Sequence, residues 1–176
     1  LVLCFSPSVN VAASLQASLE QYLGGRLDGL LGSKGRSFTY QSMQNLDSTV
    51  WSLLSQYNTL VIFDEIHHCA GDQLNNANSW GQQIINNIQG RATYTLALTG
   101  TPWRSDKIPI ALSTYCYKGN IQCDYTYGLN QAIEDNVCRI PSIVAIDNKH
   151  ITLSSDDHES HYSSFTALLG QSKCSY

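Results

Sequence analysis

The apolar positions of this chain alternate between two patterns over roughly its first hundred residues. Continuous β-type runs occur at 1–5, 37–40, 59–63 and 94–98. Between these runs, apolar residues recur every three or four positions, which is the period of an amphipathic helix. Strands that alternate with helices predict an α/β domain whose mostly parallel sheet carries helices on both faces.

The helical segments have recognisable end signals. Ser6, Pro7 and Ser8 suit the start of the first helix, Asp47 and Ser48 suit the second, and glycines at 24 and 90 suit helix ends. The inward faces are predicted to carry Val11, Leu15, Leu19 and Tyr22 in the first helix, Val50, Leu53, Leu54 and Tyr57 in the second, and Trp80, Ile84, Ile85 and Ile88 in the third.

The pattern changes towards the end of the chain, so we expect a domain at 1–118 and an extension at 119–176. A short helix is predicted around Leu129–Ile133. Residues 142–147 and 150–153 are predicted to pair as a hairpin around Asp147-Asn148-Lys149. Asp156, Asp157 and Glu159 are predicted to begin a last helix, with Tyr162, Phe165, Leu168 and Leu169 on one face.

Composition mainly excludes classes of protein, because the features typical of disordered, membrane-spanning and zinc-binding chains are missing. Hydrophobic residues make up 43% and charged residues 14%, which argues against disorder. No apolar run approaches the roughly 20 residues needed to cross a bilayer. Ten Lys plus Arg against 14 Asp plus Glu give a net charge of −4, so any nucleic-acid contact must come from a local surface or from parts of the protein outside this chain. The six cysteines form no CxxC pair, which favours reduced, mostly buried thiols in a cytoplasmic protein over a zinc site.

Two adjacent carboxylates, Asp64 and Glu65, follow the apolar strand at 59–63. Open α/β sheets bind ligands beyond the carboxyl ends of their strands. A nucleotide hydrolase needs two acids in this position: Asp64 would hold Mg²⁺ through water, and Glu65 would orient and deprotonate the attacking water. The alternative is a pair of solvated acids that begin a loop.

A second strand, at 94–98, is predicted to be buried and to end in Thr99-Gly100-Thr101-Pro102-Trp103-Arg104. Its hydroxyls can hydrogen-bond to neighbouring side chains. The alternative is an ordinary turn built on glycine and proline. That alternative explains Gly100 and Pro102 but leaves the pairing with the acids unexplained.

Together, these segments resemble superfamily-two helicases. Asp64-Glu65-Ile66-His67 is similar to their DExH box, and Thr99-Gly100-Thr101-Pro102 is similar to motif III. The flanking residues resemble the repair-helicase and type III restriction-translocase branch. The resemblance implies the N-terminal RecA-like, P-loop motor domain of an ATP- and Mg²⁺-dependent helicase acting on nucleic acid, DNA rather than RNA. It also implies that His67, Thr99, Gly100 and Thr101 couple hydrolysis to movement.

Two weaker segments fit the same family. Ser6-Pro7-Ser8 resembles motif Ia, and Thr39-Tyr40-Gln41 resembles motif Ib. In the family both lie along the nucleic-acid strand, and hydroxyls, amides and helix N-termini can hold phosphates without strong positive charge. Helix capping and an ordinary turn are the structural alternatives.

The phosphate-binding loop of this family is absent, because the chain contains no Gly-Lys dipeptide. Residues 29–35 form a glycine-rich loop whose Lys34 precedes the last glycine. We therefore expect a fragment, truncated at its N-terminus, that works with upstream sequence and a second RecA-like domain and is inactive alone. Three alternatives stay open: a restriction-system translocase subunit, a non-catalytic nucleic-acid-binding module, and a metal-dependent nuclease with Asp72 as third acid.

Overall fold

The computed structural model describes residues 1–142, 150–155 and 158–171 of the 176-residue chain. The chain divides into two compact units, 1–124 and 125–176.

A four-stranded parallel sheet forms the centre of the first unit. Its strands are β1 (Val2–Ser6), β2 (Gly35–Thr39), β3 (Leu60–Phe63) and β4 (Tyr94–Ala97), in the order β2-β1-β3-β4. Every neighbouring pair in this sheet is parallel. Flanking helices lie on both of its faces, so the predicted α/β fold of the RecA-like type is confirmed.

Three helices connect these strands. They are α1 (Val9–Leu23), α2 (Ser48–Gln56) and α3 (Ser79–Asn87), and a 3₁₀ turn at Tyr40–Asn45 follows β2. The side chains of Ser8 and Asp47 accept hydrogen bonds at the predicted helix starts, and Gly24 ends α1 in the left-handed conformation.

The predicted inward faces are wrong at two tyrosines. Tyr22 is 88% exposed and Tyr57 is 58% exposed. The sheet-facing stripe of α1 consists of Leu15, Leu19 and Leu23. Tyr22 is rotated by about 100° from Leu23 around the helix and therefore faces solvent.

Each face of the sheet has its own apolar cluster, because alternate strand residues point to opposite sides. On one side Phe5 stacks between Phe38 and Phe63, with ring centroids 5.5 and 5.7 Å away, and also on Trp51 of α2. On the other side, Cys4 and Ile62 are buried beneath α1.

The outer strand β4 departs from its prediction as a buried strand. All four of its residues are exposed, with Tyr94 at 68% and Leu96 at 44%. Within the described part of the chain, β4 pairs only with β3 and forms the end of the sheet. The apolar run therefore predicted the strand correctly and its burial wrongly.

Two short strands, β5 (Thr114–Tyr115) and β6 (Ile121–Gln122), pair near the end of the first unit. The second unit contains α4 (Leu129–Glu134), β7 (Ile151–Ser155), β8 (His158–Tyr162) and α5 (Phe165–Gln171). The short helix was predicted at this position. In the parts of the chain that the structure describes, no helix is long and apolar enough to span a membrane.

The predicted last helix needs correction, whereas the first strand of the predicted hairpin lies outside the described residues from position 143 onward. The predicted turn at 147–149 lies outside the described residues, as do Asp156 and Asp157. The strand β7, which begins at Ile151, pairs in antiparallel fashion with β8, which follows it. Glu159 and Tyr162 belong to β8, so the last helix begins only at Phe165. Antiparallel pairing of these two segments here outweighs the acidic helix-start signal.

Candidate functional site

All four segments singled out in the sequence follow the carboxyl ends of the parallel strands. The register pairs Ser6 with Thr39, Phe5 with Phe63, and Phe63 with Ala97, so the strands end nearly level. The acid pair therefore follows β3 and the threonine-rich turn follows the adjacent β4, at one edge of one sheet. This juxtaposition is what the sequence predicted.

Backbone hydrogen bonds fix the acid turn. The Asp64 amide donates to the Phe5 carbonyl at 2.9 Å, and the Ile66 amide donates to the Leu98 carbonyl at 3.0 Å. Between them, Glu65 adopts the left-handed conformation, with φ 53° and ψ 49°. For a residue with a Cβ this conformation costs about 1–2 kcal/mol, and it persists where the surroundings hold it in place.

Asp64 lines an open cavity of about 400 Å³ beside α1, together with Asn10, Val11, Ser14, Leu15 and Ser18. Partial burial raises the pKa of its carboxyl above the ordinary value, and the neighbouring Glu65 carboxylate raises it further. A single carboxylate beside an open cavity fits Mg²⁺, which keeps several of its waters and needs few protein ligands. Within the described residues, no three His, Cys, Asp or Glu side chains gather into a potential metal cluster.

His67 joins the acid turn to the threonine turn. Its Nδ1 lies 2.8 Å from Thr99 Oγ1, 3.1 Å from Thr101 Oγ1 and 3.2 Å from Glu65 Oε2. Thr99 Oγ1 also accepts a hydrogen bond from the Thr101 amide at 3.0 Å, which closes the turn around Gly100. A Cβ on Gly100 would meet nothing within 4 Å, so a small residue such as alanine fits there as well.

Arg104, to which the sequence pattern assigned no role, also contacts the acid turn. Its guanidinium donates to the His67 carbonyl through Nη1 and to Asp106 Oδ1 through Nε, the latter at 3.0 Å. The hydrogen bond from Arg104 to the Asp106 carboxylate is the largest cause that lowers the pKa of this carboxyl. Beside Arg104, the 66% exposed Trp103 borders a second cavity of about 410 Å³ that also includes His67, His68, Thr101 and Ser105.

Asn78 is a second residue that the sequence analysis missed. Its Oδ1 accepts hydrogen bonds from the amides of Gly81 at 2.8 Å and Ala70 at 3.1 Å, and its Nδ2 donates to the His68 carbonyl at 2.8 Å. One side chain thus caps α3 and holds the segment after the acid turn. Its position immediately before a helical pattern is the signal that identifies such a cap.

The residues predicted to contact nucleic acid divide into two groups. Ser8 and Gln41 are exposed, and Pro7 and Thr39 are partly buried. Gln41 Nε2 donates to the Pro7 carbonyl at 3.2 Å, which brings the two segments together. Ser6 and Tyr40 are both 0% exposed, so their side chains are inaccessible to a ligand in this conformation.

The predicted burial of the thiols is correct only in part. Cys4 and Cys69 are buried, which raises the pKa of each thiol to about 12. Cys116 is partly buried, and Cys123 and Cys138 are exposed. All five are free thiols, and Cys174 lies outside the described residues.

Comparison with known proteins adds an independent observation. Residues 34–104 match the family model of the type III restriction enzyme, res subunit, and this segment contains both the acid turn and the threonine turn. The chain is 47% identical over 85 residues to the uncharacterized protein Rv2917 of Mycobacterium tuberculosis (strain ATCC 25618 / H37Rv), an alignment covering 46% of this chain. It is 45% identical over 85 residues to the uncharacterized protein ML1624 of Mycobacterium leprae (strain TN), with the same coverage.

The chain spans about 13% of the length of these curated relatives. The family match, together with the parallel sheet, supports a helicase-like domain of the P-loop type from superfamily two.

Proposed function

We propose that this chain forms part of an ATP-dependent motor domain that moves along nucleic acid, DNA rather than RNA. The observation that carries the proposal is the contact of His67 with Thr99, Thr101 and Glu65. A side chain that touches both turns can report a change at one of them to the other. The shared imidazole therefore favours one site that uses both turns over two separate loops.

Asp64 and Glu65 supply the chemistry in this proposal. The Asp64 carboxylate would hold Mg²⁺ through water, and the metal would neutralise charge on the β- and γ-phosphates. The Glu65 carboxylate would orient the attacking water and accept its proton. Its 42% exposed side chain can reach a ligand at the strand edge.

A phosphate-binding segment from outside these 176 residues would complete the site. The open cavity at Asp64 and the exposed residues of β4 leave room for such a segment beside the acid turn. The second RecA-like domain would add the arginine that stabilises the transition state. We therefore expect the isolated chain to show no appreciable ATP hydrolysis.

The proposed nucleic-acid surface consists of Pro7, Ser8, Thr39 and Gln41. They lie together at the ends of β1 and β2, where the register and the bond from Gln41 to the Pro7 carbonyl hold them. Hydroxyl, amide and backbone groups of this kind contact phosphates independently of sequence.

We place the protein in the cytoplasm, where free thiols such as Cys4 and Cys69 stay reduced.

The direct test is Glu65→Gln in the full-length protein. The variant should lose nearly all nucleic-acid-stimulated ATP hydrolysis while its affinity for a fluorescent ATP analogue stays within about threefold of wild type, because the amide cannot accept the proton. Glu134→Gln, at an exposed position of α4, is the matched control and should behave as wild type. Near-normal turnover of Glu65→Gln would show that Glu65 is not the base. A wild type with no turnover would favour the non-catalytic binding module.

A restriction-system translocase subunit is the second candidate, because the matching family model describes a restriction enzyme subunit. A translocase moves along duplex without separating the strands. Displacement of a third strand from duplex DNA, with no unwinding of the same duplex, would favour it over a helicase. Unwinding would favour the helicase.

A further inference from the structure

Tyr40 is fully buried, although Thr39 before it is only partly buried and Gln41 after it is exposed. Its side chain is 0% exposed, and its hydroxyl donates a hydrogen bond of 2.7 Å to the carbonyl oxygen of Asp64. We propose that Tyr40 is a positioning residue that holds the acid turn and links it to the nucleic-acid surface. This inference rests on the proposed function and deepens it.

The hydroxyl of Tyr40 holds a backbone group that matters for the site. The Asp64 carbonyl belongs to the peptide that joins the two acids, and the next residue, Glu65, is the one in the left-handed conformation. Rotation of that peptide would change the direction of the Glu65 side chain. The hydrogen bond opposes this rotation, because the partly buried carbonyl would lose this partner.

The ring of Tyr40 is itself held. It stacks on Trp80 of α3 with centroids 5.5 Å apart and 22° between the ring planes. Burial is the largest cause that raises the pKa of the Tyr40 hydroxyl, so the group stays protonated and keeps its donor. The Trp80 ring also forms a T-shaped pair with the His68 ring, with centroids 6.4 Å apart, and the ring centroids of His68 and His67 are 4.4 Å apart. Tyr40 therefore contacts the acid turn directly through its hydroxyl and is connected to His67 through the rings of Trp80 and His68.

The same residue is covalently continuous with the proposed nucleic-acid surface. Tyr40 lies between Thr39 and Gln41 in the chain, and the Gln41 side chain donates a hydrogen bond to the Pro7 carbonyl. A phosphate that contacts this surface would fix the backbone at 39–41 and with it the position of the Tyr40 ring. Bound nucleic acid would thereby stabilise the orientation of Glu65 that hydrolysis needs, because the Tyr40 hydroxyl contacts the Asp64 carbonyl directly.

The test uses the full-length protein with Tyr40→Phe, which keeps the ring and removes only the hydroxyl. In the presence of saturating nucleic acid, kcat for ATP should fall by about tenfold, the effect of losing roughly one hydrogen bond in the transition state. KM for ATP and the Kd for nucleic acid should stay within about twofold of wild type. The ratio of stimulated to basal turnover should fall as well, which a purely structural role for Tyr40 would not change.

Tyr115→Phe is the matched control. The Tyr115 hydroxyl also bonds to the backbone, accepting from the Ile110 amide at 2.9 Å, but it has no contact with the acid turn among those the structure describes. This control should keep the stimulation ratio of wild type even where its stability falls. An equal loss of stimulation in both variants would overturn the inference, and so would an unchanged ratio in Tyr40→Phe when wild type is active.

Hydrogen exchange separates this inference from the proposed function. If wild type does not hydrolyse ATP, the proposed function fails and the coupling fails with it. The positioning claim is then decided by exchange at the amides of Glu65 and Ile66. Faster exchange there in Tyr40→Phe, with Tyr115→Phe unchanged, supports the positioning role. Identical exchange in wild type and Tyr40→Phe overturns it.

Discussion

The left-handed backbone at Glu65 predicts an unusual order of stability for two substitutions. Alanine and glycine both remove the carboxylate and its 3.2 Å contact with His67 Nδ1, so they lose the same side-chain interactions. They differ in what the backbone tolerates at φ 53° and ψ 49°. We expect Glu65→Gly to be more stable than Glu65→Ala.

The magnitude follows from two opposing contributions. Alanine retains the left-handed penalty of about 1–2 kcal/mol, which glycine avoids. Glycine loses more backbone entropy on folding, which offsets about 0.5–1 kcal/mol of that advantage. The difference in the free energy of unfolding should therefore be about 1 kcal/mol in favour of Glu65→Gly.

The assay is urea unfolding of both variants, followed by tryptophan fluorescence, with the slope m required to agree between them. Gln82 in the middle of α3 offers a matched control, because its exposed side chain donates one hydrogen bond to the Ala77 carbonyl. There Gln82→Gly should be less stable than Gln82→Ala by about 1 kcal/mol. If Glu65→Ala equals or exceeds Glu65→Gly in stability, the strained acid turn is refuted.

Two further predictions concern residues around the same turn. Asn78→Ala should lower the free energy of unfolding by about 2 kcal/mol, because it removes a helix cap and the bond to the His68 carbonyl. Asn78→Asp keeps the accepting oxygen and should recover part of this loss in the same urea titration, and equal stabilities would contradict the cap. Asp64→Asn should be more stable than wild type at neutral pH, because burial and Glu65 disfavour the charged carboxylate and raise its pKa. The folded state holds this proton more tightly than the unfolded chain, so the group favours folding at acidic pH and that contribution is lost as pH rises through the folded pKa. The advantage of Asp64→Asn should therefore shrink as pH falls towards about 4, and an advantage that grows at low pH would refute the direction of the shift.

The sequence by itself determined the local structure and the identity of the chemical groups. Ser8, Gly24 and Asp47 mark helix ends because capping and left-handed backbone depend on the residue and its immediate neighbours. The apolar runs fixed the strands for the same reason, since a run with the strand period needs no distant partner to be recognised. The parallel order then followed from helices lying between the strands, which placed the acids and the threonine turn at one edge.

Only the tertiary structure decided which faces are covered and which groups meet. The exposure of Tyr22 depends on where the sheet lies under α1, and the exposure of β4 depends on its place at the end of the sheet. The position of Tyr40 under Asp64 joins residues 24 apart in the chain, and the His67 contact with Thr99 joins residues 32 apart. Hydrophobic periodicity carries no information about such separations, because burial and hydrogen bonding between distant segments are settled only when the strands pair and the helices pack.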